Sequence, residues 1–192
     1  MNKLLVVALG DELDERLLPE DWAVVYTGVG KVNAAMKVCA AIGMFDPDII
    51  VNYGTAGAIS DVSGLLEVRG LVQRDMITPG LSERGMTPGE PRAVITCLND
   101  STNIICGTGD SFVTEHDPWL VETGVDIVDM EAYAIAKVAD LVGIPFRCWK
   151  YVSDNADSSA AESWEENVSA GQTQFLQDIV YGELSSVRRW PH

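Results

Sequence analysis

Between Ile127 and Asp157 the chain reads IVDMEAYAIAKVADLVGIPFRCWKYVSDNAD, and this stretch restricts the fold more than any other. An apolar pair runs into Asp129 and Glu131, which bracket Met130 at a helix start. Met130, Ala134, Val138, Leu141 and Val142 recur at helical spacing and predict one buried stripe. Gly143 ends the helix, and Pro145 stands where a helix cannot continue. Phe146 to Val152, rich in aromatic and β-branched residues, predicts a strand carrying Ser153 and Asp154 at its carboxyl end. Strand, helix, strand is the unit of an open α/β sheet, where ligands bind outside the carboxyl ends of the strands. Glu131 and Asp154 are therefore expected at one crevice. Singly, Glu131 fits a first-turn acid favoured by the helix dipole, and Asp154 fits the first residue of an Asx-turn. Their joint placement is what points to a site.

The remainder of the chain repeats the pattern. Lys3 to Leu9 is a continuous apolar run, the mark of a strand buried on both faces, and Asp11, Glu12, Asp14 and Glu15 follow its end. Leu13, Leu17 and Leu18 suggest a short helical turn before Pro19. Trp22 to Tyr26 is a second strand. Thr27-Gly28-Val29-Gly30-Lys31 then turns into a helix over Val32 to Met44, with Val32, Ala35, Met36, Cys39 and Ile42 on one side. Such a turn brings backbone N–H groups to an anion. It lacks the third glycine of a dinucleotide fingerprint, and Lys31 is not followed by the Ser or Thr of a P-loop. Pro47 to Val51 is a third strand, leading into Asn52-Tyr53-Gly54-Thr55-Ala56-Gly57-Ala58, small residues that allow close approach of a ligand.

Val68 to Val72, Ala93 to Leu98 and Asn103 to Cys106 read as further strands, and the last leads to Gly107-Thr108-Gly109-Asp110-Ser111-Phe112-Val113. Gln73 to Arg92 reads as a long loop, a lid or a subunit contact. A final helix spans about Glu165 to Leu184, with Val168, Phe175, Leu176, Ile179 and Val180 on its apolar side, and Arg188, Arg189 and Trp190 form a surface tail. No repeat or linker interrupts the 192 residues, so one domain is expected.

Charge narrows the partners. The net charge of −16, from 29 acids against 13 Lys and Arg, argues against nucleic acid and anionic membrane. No apolar run reaches the roughly 18 residues of a membrane span, and the start, MNKLLVVALGDELDE, lacks a cleavage site, so a cytoplasmic protein is expected. Cys39, Cys97, Cys106 and Cys148 lack the paired spacing of a zinc site or a disulfide framework and read as reduced core residues. With only His116 and His192, a histidine-based triad is not expected.

Five segments in order, TGVGKVNAA, NYGTAGAIS, GTGDSFV, VDMEAYAIAKVA and KYVSDNAD, resemble the nucleoside phosphorylase/nucleosidase superfamily, above all its methylthioadenosine/S-adenosylhomocysteine nucleosidases. The resemblance implies a three-layer α/β/α sandwich around a mixed, partly barrel-like central sheet, and a homodimer. It implies that Asp154 acts on purine N7, with Ser153 helping to place it. Glu131 would bind the ribose hydroxyls, with Met130 against the sugar. Phe112 and Val113 would form the base wall, and Thr55, Ala56 and Gly57 the loop beside the sugar and the nucleophile. Glu12 would activate water, with Asp14 as the fallback. Asp129 stands where nucleosidases carry Glu, and Lys150 where they carry Arg; both are counted with the substrate-binding set.

The chemistry implied is cleavage of an N-glycosidic bond. Positive charge grows on the sugar and negative charge on the departing purine, so an acid at the base, a carboxylate by the sugar and a base for water suffice. Neither metal nor organic cofactor is called for. Phosphorylases of the superfamily hold phosphate with arginines at the positions of Glu12 and Asn52; an acid and an amide there favour water. The alternatives are a phosphorylase, a nucleosidase for another purine nucleoside, and a non-catalytic nucleoside- or dinucleotide-binding protein.

Overall fold

The computed structural model describes residues 1–98 and 102–185; the expected tail of Arg188, Arg189 and Trp190 lies outside the described residues. Nine strands form one mixed sheet: β1 (Lys3–Val7), β2 (Trp22–Tyr26), β3 (Ile49–Ala58), β4 (Leu65–Glu67), β5 (Gly70–Gln73), β6 (Val94–Thr96), β7 (Ile105–Thr108), β8 (Ile127–Asp129) and β9 (Phe146–Asp154). The order is β2-β1-β3-β8-β7-β5-β6, with β9 pairing both β3 and β4. β1 is parallel to β2 and β3, β9 to β3, and β7 to β5 and β8. The β3–β8, β4–β9 and β5–β6 pairs are antiparallel. The sheet stays open, since no pairing among the described residues joins β6 back to β2.

Helices cover both faces, and the period-two alternation of β1 shows how. Leu4 and Val6 pack into the core shared with α1 (Lys31–Phe45) and α3 (Ala132–Val142). Leu5 and Val7 point the other way, into a core closed by Phe175, Ile179 and Val180 of the C-terminal helix. Three layers result, as expected.

Several elements differ from expectation. β3 runs on through Asn52-Tyr53-Gly54-Thr55-Ala56-Gly57, because β1, β9 and β8 supply backbone partners along its length. In α3 the predicted Ala134 and Val138 are buried, but Ala132, Ile135, Ala136 and Ala139 complete the inward face in place of Leu141 and Val142, which are 84% and 50% exposed. In α1 it is Ala34, Val38 and Ala41, while Val32 and Met36 are exposed. Both corrections have one cause. The two helices lie side by side on the same face, and small residues let their backbones approach each other and the sheet. Cys39 is correspondingly exposed rather than in the core. The expected last helix is interrupted: α4 (Ala160–Asn167) ends, and α5 (Gln172–Gln174) restarts the chain and continues into a π-helical segment, Phe175–Glu183. A 3-10 turn at Glu15–Leu17 matches the short turn expected there, and α2 (Pro118–Glu122) completes the helices.

Candidate active site

The carboxyl ends of β1, β7, β9 and the long β3 converge on a cavity of about 210 Å3. Glu12, Thr55, Ala56, Gly57, Phe112, Val113, Asp129, Met130, Glu131, Ser153 and Asp154 line it. Lys150 does not; it is 1% exposed and lies beneath the cavity floor. Asp14 is elsewhere, capping the 3-10 turn and pairing with Arg16.

Three carboxylates face the cavity, and neutral donors hold each of them. Glu12 reaches over β3, where Thr55 N donates to Oε1 at 2.8 Å and Thr55 Oγ1 donates at 2.9 Å. Leu9 N donates to its Oε2 at 3.1 Å. Glu131 is the N-cap residue of α3, and its Oε1 accepts the backbone N–H of Gly30 at 2.8 Å. The glycine turn of TGVGK thus does meet an anion, but the anion is the protein's own carboxylate, and Gly30 supplies it from φ +96°. Burial, then the negative charge of neighbouring Asp129, pushes the Glu131 carboxyl up to about 7. Asp154 accepts Ser153 Oγ at 2.8 Å on Oδ2 and Ala156 N at 2.9 Å on Oδ1. The second bond is the Asx-turn anticipated at Asp154, and it draws Ala156 to φ +48°, a left-handed backbone that costs a residue with a side chain about 1–2 kcal/mol. Gly57 makes room for this arrangement. A Cβ on it would lie 2.6 Å from Asp154 Oδ1.

Asp129 also borders the cavity, but its side chain is 1% exposed and turns beneath the floor, where the pattern reverses. Asp129 Oδ2 pairs with Lys150 Nζ at 2.8 Å and accepts the helix-start N–H of Ala132 at 2.8 Å. Its Oδ1 accepts Thr108 Oγ1 at 2.5 Å. Burial alone would raise the Asp129 carboxyl, yet Lys150 and these hydrogen bonds outweigh it and hold the group low. Lys150 is likewise pulled down by burial but held above the usual lysine range by Asp129. Asn52, at the second arginine position of phosphorylases, is 1% exposed and donates to Val6 O at 2.9 Å and to Tyr53 O at 3.3 Å.

Arg74 and Trp164 are among the lining residues that were not anticipated. Arg74, one residue past β5, is 6% exposed and braces the loop after β7, donating to Gly109 O at 3.1 Å, to Ser111 O, and to Ser111 Oγ at 3.3 Å. Burial depresses its guanidinium below the usual arginine range. Its place at a strand's carboxyl end was a usable signal. Trp164 of α4 donates its indole N–H to Thr55 Oγ1 at 2.9 Å. A lone aromatic in the polar run ESWEEN was the corresponding clue. Among the described residues no group of three His, Cys, Asp or Glu side chains could hold a metal ion.

Known proteins share this fold and parts of this sequence. The family model of the phosphorylase superfamily matches residues 20–68 and 101–179. A curated 5′-methylthioadenosine/S-adenosylhomocysteine nucleosidase of Exiguobacterium sp. is 32% identical, over 74% of this chain and 71% of the relative. Among solved structures, a Helicobacter pylori MTAN mutant with 5′-methylthioadenosine in its active site superposes with a TM-score of 0.84 at 21% identity, covering 94% of this chain and 98% of that one. The native futalosine hydrolase of Helicobacter pylori gives 0.84 at 21% identity, covering 93% and 97%. Extent of match and degree of identity together place this chain in the phosphorylase superfamily, among the relatives of the 5′-methylthioadenosine/S-adenosylhomocysteine nucleosidases.

Proposed function

We propose that this protein is an N-glycosyl hydrolase that cleaves purine nucleosides, with 5′-substituted adenosines such as methylthioadenosine as its substrates, and that its 192 residues act as one nucleosidase domain. The observation that carries hydrolysis is the position of Glu12. Its carboxylate occupies both the N–H and the O–H of Thr55, donors that an incoming phosphate would need. A fixed negative charge there repels a phosphate dianion and is suited to taking a proton from water. No arginine touches Thr55 or Glu12 among the described residues; Arg74 is tied to the loop at Gly109 and Ser111 instead.

The roles follow from the placement. In this reading the purine stacks on Phe112 and meets the backbone of Val113, with N7 toward Asp154 and the ribose hydroxyls toward Glu131 beside Met130; all five residues line the cavity. As the bond between C1′ and N9 breaks, its electron pair leaves with the purine, and Asp154 delivers a proton to N7. Water attacks C1′ and gives its proton to Glu12, so free base and free sugar result. Proton delivery of this kind contributes about 10²–10⁴-fold. Asp129 and Lys150 act from beneath, fixing the start of α3 and hence Glu131.

Purified protein in phosphate-free buffer releases free base from methylthioadenosine at a rate that added phosphate does not raise. A rate that requires phosphate makes the protein a phosphorylase. The likeness to futalosine hydrolase motivates a second reading, a nucleosidase for another purine nucleoside, and a panel of nucleosides scored by base release separates the two. A homodimer in the cytoplasm, acting in methionine salvage, completes the proposal. Val32 and Met36 on α1, 77% and 60% exposed, provide an apolar face that a second copy would cover, and sedimentation measures the association.

A further inference from the structure

α4 is an unusual element, because apolar packing does little to hold it: of its eight residues only Ala160 is buried. Two side chains tie it to the chemistry instead. Asn167 Nδ2 donates to Ser153 O at 3.2 Å, beside Asp154, and Trp164 Nε1 donates to Thr55 Oγ1 at 2.9 Å, beside Glu12. The indole N–H is a donor only, and a threonine hydroxyl has a single hydrogen. With Thr55 Oγ1 accepting from Trp164, that hydrogen is directed to Glu12 Oε1, which lies 2.9 Å away. Oε1 then receives two hydrogen bonds from Thr55, whereas among the described residues Oε2 receives only that of Leu9 N at 3.1 Å.

We infer that Trp164 is a positioning residue for the nucleophile: its indole N–H fixes the direction of the Thr55 hydroxyl, which keeps Oε1 of Glu12 an acceptor and assigns proton uptake from water to Oε2. The inference rests on the hydrolytic reading above and assigns an orientation within it. Without the indole N–H, the Thr55 hydroxyl is free to turn away from Glu12, and the carboxylate loses the donor that sets its plane. Binding of the nucleoside is untouched by this loss; the attack of water is not.

The test is a double-mutant cycle on the full-length protein with Trp164→Phe, Thr55→Val and the two combined. Trp164→Phe lowers kcat by about 3- to 10-fold with KM changed less than about twofold, and the same replacement in the Thr55→Val background changes kcat by less than about twofold. An equal loss in both backgrounds, or a loss confined to KM, overturns the inference. If the phenylalanine variant fails to fold, the benzothiophene isostere of tryptophan at position 164, which keeps the ring and lacks the N–H, gives the same comparison. An independent reading needs no turnover: the Trp164 indole N–H resonance is protected from solvent exchange and loses that protection on Thr55→Val. Unchanged protection overturns the relay even in a protein that hydrolyses no nucleoside, whereas lost protection without base release leaves the relay standing and removes the proposed reaction.

Discussion

Two layers of carboxylates lie within a few residues of each other and are treated in opposite ways. Beneath the floor, Asp129 is ion-paired with buried Lys150 and capped by Thr108 and Ala132. In the cavity, Glu12, Glu131 and Asp154 have no cation within ion-pairing distance among the described residues and are held by backbone N–H groups and hydroxyls. Asp129 and Glu131, two positions apart, diverge accordingly: one is held low, and the other is pushed up to about 7. A permanent cation fixes an acid in its charged form, which suits a structural part and disables proton transfer. Neutral donors fix geometry while leaving the proton free to move. Under the proposed function, the division between the two layers is a division between support and chemistry.

The largest effect that would break this division is expected at Asp154. Asp154→Asn keeps the Asx-turn acceptor and removes the proton, so kcat falls by about 10²–10⁴-fold while nucleoside binding, followed by calorimetry, persists. A variant of undiminished turnover would remove Asp154 from the chemistry. Next comes Lys150→Met, which leaves Asp129 charged and buried without its cation. Denaturant unfolding should show a loss of about 3–5 kcal/mol, and adding Asp129→Asn should recover part of it. Were the single change harmless, Asp129 would not be the structural acid described here.

A smaller effect is expected at Gly57. The methyl group of Gly57→Ala meets Asp154 Oδ1 and crowds Ala156, so kcat falls by about tenfold and stability by about 1–3 kcal/mol, measured by steady-state kinetics beside thermal unfolding. The smallest is a pH dependence. Ionised Glu131 accepts hydrogen bonds from ribose hydroxyls, so KM should fall as pH rises through about 7. The sign for stability is opposite: a carboxyl raised from its ordinary 4.5 contributes stability that is full below about 4.5 and lost as pH rises through about 7. Glu131→Gln flattens both profiles, and a KM that remains pH-dependent in that variant moves the titration to another group.

Much of this was legible in the sequence, and the physical reason is locality. A buried strand advertises itself as an apolar run, and the residue that follows it stands at a carboxyl end whatever the rest of the chain does. Trp22–Tyr26 begins and ends where the sequence places it, and the acids after β1, β8 and β9 needed only that rule. The modest reading of Asp154 was also correct, since it does form an Asx-turn, whereas Glu131 is the N-cap residue of α3 rather than a first-turn acid, and its carboxylate turns to Gly30 N. Under the proposed function, structural and functional roles coincide in these side chains rather than compete.

What the sequence determined by itself, then, was the set of strands, the acids at their ends and the segments that mark the superfamily, because hydrophobic periodicity and motif order are properties of neighbours along the chain. The tertiary structure alone decided which faces of α1 and α3 turn inward, since that depends on the two helices sharing one side of the sheet. It alone decided that the anion at the glycine turn is Glu131, 101 residues away, and that the Thr55 hydroxyl answers to Trp164, 109 residues away. Partners so distant leave no periodic trace, because their meeting depends on how the whole sheet is ordered and not on any local spacing.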